Sequence, residues 1–134
     1  MSKDVIRKCL PTRRHSWRQC CRIGSQTIYL TVGEYDDGSP GEIFIDIAKA
    51  GTLLRGTCDA LARVISVALQ CGTPLQHVLT ALRGLDYPPQ GSVMNSSNVK
   101  EAKSVADWIA MELTATYLKT EEKVAGKYTK GSGY

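Results

Sequence analysis

The stretch Gln26-Thr27-Ile28-Tyr29-Leu30-Thr31-Val32-Gly33-Glu34-Tyr35 alternates with a period of two. Ile28, Leu30 and Val32 face one way, and Thr27, Tyr29 and Thr31 the other, which is the pattern of a strand with one buried face. Just before it, Gly24-Ser25 reads as a two-residue hairpin turn, closing onto a strand from His15 to Ile23. Just after it, Asp36-Asp37-Gly38-Ser39-Pro40 is a turn, because Asp-Gly tolerates positive φ and proline ends a ladder. Glu42 to Ala48 repeats the alternation, with Ile43, Ile45 and Ile47 opposed to Glu42, Phe44 and Asp46. Three strands on short turns make an antiparallel meander with one oily face.

Beyond Lys49-Ala50-Gly51 the period changes to that of a helix, running to Gln70 with Thr52 as its N-cap. Leu54, Cys58, Leu61, Ile65 and Leu69 form one apolar stripe, and Leu53, Thr57, Ala60, Val64 and Val67 a second. Two stripes exceed what one sheet face needs. They predict a long central helix, covered by another helix or by a second copy of the chain in a homodimer or higher homo-oligomer. Gly72 is the expected C-terminal cap. Thr73-Pro74-Leu75-Gln76 opens a short helix ending at Gly84. Asp86 to Ser97 reads as a loop. Asn98 then caps a last helix, with Glu101 three residues on and Val105, Ile109 and Leu113 as its buried stripe. The expected fold class is α+β: a three-stranded antiparallel meander on a long central helix, plus two further helices.

The 134 residues fit one domain, and a chain of this size buries about two-thirds of its unfolded surface. It therefore needs neither disulfides nor a metal to fold. No apolar run approaches the roughly 20 residues of a membrane span, and Met1 to Ile6 has no signal-peptide character, so an intracellular, cytoplasmic protein is expected. Cys9, Cys20, Cys21, Cys58 and Cys71 contain no C-x-x-C pair, and His15 and His77 offer little help as metal ligands, so free thiols and no metal or cofactor are expected. Of the net charge of +4, residues 1–22 carry seven bases and one acid (+6), leaving ten bases and twelve acids (−2) for the rest. The organisation read from this is a basic leader over 1–13, a folded domain over 14–118 and a polar tail over 119–134 that frays. The arm attracts phosphates or nucleic acid, or is simply solvated.

Several segments together resemble a known family. They are Arg22 to Glu34, Gly41 to Gly51, Asp59 to Gln70, then Gly72, Pro74, Leu75 and Leu82-Arg83-Gly84. In that order they are similar to the TSCPD domain found at the C-terminal end of adenosylcobalamin-dependent ribonucleotide reductases, over residues 14–115. The family's Thr-Ser-Cys-Pro-Asp string corresponds to Lys103-Ser104-Val105-Ala106-Asp107, where Ser and Asp remain and Cys and Pro do not. The resemblance implies a non-catalytic, nucleotide-associated module, with a reductase chain as a partner. It does not imply reduction, since 134 residues cannot hold the reductase barrel. G-x-S-x-G, H-E-x-x-H and P-loop motifs are absent from the sequence. The alternative is a stand-alone protein, for example a viral one, that binds and sequesters a nucleotide signalling molecule.

One stretch invites a phosphate-bearing ligand. Lys49-Ala50-Gly51-Thr52-Leu53-Leu54-Arg55 joins a strand to a helix start, where free N–H groups attract anions. Lys49 and Arg55 add charge, Thr52 a hydroxyl, and Ala50 and Gly51 a close-approach backbone. The competing explanation is that Gly51 makes the turn, Thr52 caps the helix and Arg55 pairs with Asp59. Tyr29 and Phe44, on the less oily sheet face, are the candidates for stacking a base.

Overall fold

The computed structural model describes residues 5–118. The three expected strands are β1 (Ser16–Ile23), β2 (Gln26–Glu34) and β3 (Pro40–Ile47). Gly24 turns the first hairpin at φ +60°, a value glycine adopts without strain. The alternation decides the face: Cys21, Ile23, Ile28, Leu30, Val32, Ile43, Ile45 and Ile47 are all buried on one side. Arg22 pairs across from Thr27, Tyr29 from Asp46 and Thr31 from Phe44 on the other.

The sheet is larger than the meander. The segment read as a loop contains β4 (Gly91–Met94), which pairs antiparallel with β1, and β5 (Glu101–Ala102), which pairs with β4. The strand order is β3-β2-β1-β4-β5. Strands of four and two residues carry too little alternation to stand out in sequence.

Three helices cover the oily face, but the roles are exchanged relative to the expectation. The long helix α1 (Thr52–Gln70) is not central: it lies along β3, the edge of the sheet, and one whole side of it is exposed. The last helix, α3 (Val105–Tyr117), is the buried one. Val105, Ala106, Trp108, Ile109, Ala110 and Leu113 are each at most 1% exposed, with α2 (Leu75–Leu82) packed against them.

The helix ends are corrected in the same way. Gly51, not Thr52, occupies the N-cap of α1, and no side chain caps it. α3 starts behind Ser104, whose Oγ accepts from the Asp107 N–H at 3.0 Å; Asn98 instead donates to Glu112 Oε1 at 3.2 Å. The C-terminus of α1 follows the sequence. Gly72, at φ +93°, donates to Leu69 O, and Thr73 donates to Ala68 O, the paired bonds of a Schellman ending.

Residues 5–13 run alongside this frame. Lys8 N–H donates to Gln70 O at 2.8 Å, Arg7 Nε to Gln70 Oε1 at 2.6 Å, and Tyr35 OH to Lys8 O at 2.7 Å. Gly41 makes room for this arrangement: a Cβ there would sit 2.5 Å from the Tyr35 ring. Residues 1–4 of the basic leader and the whole of 119–134 lie outside the described residues.

Candidate functional site

The turn that invites a ligand sits where β3 hands over to α1. Lys49 takes the left-handed conformation at φ +57°, so the sharp bend falls on Lys49, while Gly51 is extended at φ −68°, ψ 168°. The first intrahelical bond runs from Arg55 N–H to Gly51 O at 3.1 Å. The N–H groups of the turn before it point out of the helix end with no side-chain cap and no acidic residue in the first turn. Arg55 does not pair with Asp59. Its Nη2 reaches back to Ala50 O at 3.3 Å, which leaves most of its fork of donors outward. Neither Lys49 nor Arg55 has an ion-pair partner among the described residues, and both are exposed.

A groove of about 660 Å³ opens beside this helix end. Its walls are the hairpin turn Gly24-Ser25-Gln26, the first turns of α1 (Leu53, Leu54, Thr57) and the segment Tyr87-Pro88-Pro89-Gln90. The lining is mostly apolar with few polar groups, the usual make-up of a small-molecule cleft. One of those groups stands out: Gln26 Oε1 is buried and has no hydrogen-bond partner among the described residues. A buried acceptor left unmade costs about 1–3 kcal/mol. Burial raises the pKa of Tyr87, so its hydroxyl stays protonated at neutral pH. Gln26 and Tyr87 were not singled out in sequence. Gln26 read as the first residue of a strand, and Tyr87 is brought to the groove only by the fold.

Tyr29 and Phe44 occupy the outer sheet face, away from this groove. They sit on neighbouring strands, diagonal to one another, and neither lines the groove. Phe44 is 53% exposed, and the Arg18 guanidinium lies 4.4 Å from the centre of the Tyr29 ring. A cation already stacked there occupies one face of the ring.

The stretch Lys103 to Asp107 has a different task. The Asp107 carboxylate accepts from Gly84 N–H at 2.8 Å and Lys103 N–H at 3.0 Å, and meets Arg83 Nε at 3.3 Å. With Ser104 capping α3, these bonds pin the end of α2 and the approach from β5 to the start of α3. Eight residues further on, buried Glu112 accepts from Trp108 Nε1 at 3.0 Å, from Asn98 Nδ2 and from Ser96 Oγ, which ties the 96–98 loop to the same helix. Burial pushes the Cys21 thiol up to about 12 and also raises that of Cys58, so neither is a nucleophile near neutral pH. Among the described residues no His, Cys, Asp and Glu cluster could hold a metal. Among the described residues no helix is long and apolar enough to cross a membrane.

Comparison with known proteins supplies the family. The TSCPD domain model matches residues 4–117. A vitamin B12-dependent ribonucleotide reductase of Bradyrhizobium diazoefficiens is 38% identical over 112 residues, as is that of Agrobacterium fabrum. The match covers 84% of this chain and 9% of each of those proteins. The reductase of Streptantibioticus cattleyicolor is 31% identical over 120 residues, 90% of this chain and 20% of that protein. No solved structure matches the chain. The chain thus spans a small part of the length of these relatives, and on the strength of the match over residues 4–117 it belongs to the TSCPD domain family.

Proposed function

We propose that this domain is a non-catalytic nucleotide-binding module. The phosphates lie on the turn from Lys49 to Arg55, and the base enters the groove between Gln26, Leu53 and Tyr87. The observation that carries this reading is the pairing of two unlike features at one place. An uncapped helix start with two cations, Lys49 and Arg55, that have no ion-pair partner among the described residues suits a phosphate. An apolar cleft with one unsatisfied acceptor, Gln26 Oε1, suits a base that donates from an amino group. Ala50, Gly51 and Thr52 then present backbone N–H groups rather than side chains. Tyr29 and Phe44 remain the second place to look for stacking. The kinship with reductases makes a reductase chain the natural partner in the same reading.

The test is a thermal-shift and calorimetric screen of the chain with nucleoside mono-, di- and triphosphates, cyclic dinucleotides and inorganic phosphate. Binding that rises with phosphate count and falls in Arg55→Gln supports the reading. A charge-assisted hydrogen bond is worth about 1.5–3 kcal/mol, so Arg55→Gln should weaken binding roughly ten- to a hundredfold. Saturable binding that survives both Arg55→Gln and Lys49→Gln moves the site to the Tyr29 and Phe44 face.

A further inference from the structure

The outward side of α1 is apolar without being covered by any described residue. Leu53 is 83% exposed, Val64 67% and Val67 40%, with Gly56 and Ala60 exposed between them. At about 100° per residue these five fall within roughly 40° of one line, diametrically opposite Cys58, Ala62 and Ile65, which face the core. Their spacing is symmetric. Gly56 and Val64 lie four residues either side of Ala60, and Leu53 and Val67 seven either side.

We infer that α1 pairs antiparallel with α1 of a second copy of this chain, about a two-fold axis through Ala60. A two-fold contact presents the same patch twice, so the stripe must read the same from both ends. In that register Leu53 meets the partner's Val67, Gly56 meets the partner's Val64, and Ala60 meets its own copy. Small residues at the centre let the two backbones approach closely. The charges beside the stripe agree. Asp59 and Arg63 lie on the same flank of α1, one turn apart on opposite sides of the axis, and neither has an ion-pair partner among the described residues. The two-fold places Asp59 beside the partner's Arg63, and the reverse, giving two reciprocal pairs. The segment 119–134 fits this face poorly: it holds only Val124, Ala125, Tyr128 and Tyr134 as apolar side chains, and it lacks a stripe as long as that of α1, with Gly126, Gly131 and Gly133 breaking it. The pairing shares Leu53 with the wall of the groove, but Lys49, Arg55 and Gln26 take no part in it, so Ala60→Arg tests the pairing without touching them.

Light scattering on the full chain at micromolar concentration reads the outcome. The wild type should show twice 14.6 kDa, and Ala60→Arg, which sets two guanidinium groups on the axis at an exposed helical position, should show 14.6 kDa with unchanged circular dichroism. Asp59→Arg alone should weaken the dimer, and adding Arg63→Asp should restore it. A monomeric wild type overturns the inference and leaves the stripe to the terminal segments or to another protein. A dimer that survives Ala60→Arg, or a double charge exchange that fails to restore association, overturns the antiparallel register.

Discussion

Asp107 holds three partners with one carboxylate, which gives the stretch Lys103 to Asp107 a structural task. Ser104 and Asp107 build the junction of α2, β5 and α3, whereas Val105 and Ala106 only fill the core. Asp107→Ala leaves the Gly84 and Lys103 N–H groups short of an acceptor and should cost about 2–4 kcal/mol in urea unfolding. Ser104→Ala removes only the cap, at about 1 kcal/mol. Gln26 runs the other way. Gln26→Leu deletes a buried acceptor that no described residue satisfies, so the free protein should gain about 1 kcal/mol while nucleotide affinity falls. A variant less stable than wild type, with affinity intact, would show that Gln26 has no part in binding. None of these roles was legible in sequence. Asp107 read only as a surviving letter of a motif, and Gln26 as the start of a strand, because Gly84, 23 residues before Asp107, and the far walls of the groove are brought to them by the fold alone.

At the scale of elements, α1 protects a sheet edge. Ser66 Oγ accepts from Ile43 N–H at 2.9 Å, and Gln70 Nε2 donates to Gly41 O at 2.9 Å, so two polar side chains buried in a helix satisfy backbone groups that β3 would otherwise leave open. Ser66→Ala should cost about 1–3 kcal/mol by orphaning a buried N–H, measured by the same urea titration. It should also raise hydrogen exchange at Ile43 ahead of the other β3 amides. The strands were legible because alternation survives eight or nine residues. The helix ranks were not. Two apolar stripes on α1 read as a helix wrapped on both sides, but the fold buries one stripe and exposes the other. α3, whose apolar residues surround it, has little periodicity to announce it. Nor did the sequence separate Thr52 from Gly51 or Asn98 from Ser104 as caps, since each is an acceptable cap residue and only the chain path decides.

For the whole molecule, the buried ionisable groups set a stability curve. The pKa values of Cys21, Cys58, Tyr87 and Tyr117 are all raised, chiefly by burial, so the folded state holds these protons more tightly than the unfolded chain does. Their stabilising contribution is whole below the unfolded cysteine value of 9.0 and is lost as pH climbs towards about 12, where Cys21 ionises in the fold. The urea midpoint should therefore decline across that interval, and Cys21→Ala should soften the decline. The proposed function stands or falls with nucleotide binding at the β3–α1 turn. Isothermal calorimetry of a nucleoside triphosphate against wild type and Arg55→Gln tests it most directly. Saturable binding at one site per chain is expected, weakened ten- to a hundredfold in the variant. No heat with any nucleotide, or equal affinity in both proteins, would contradict it.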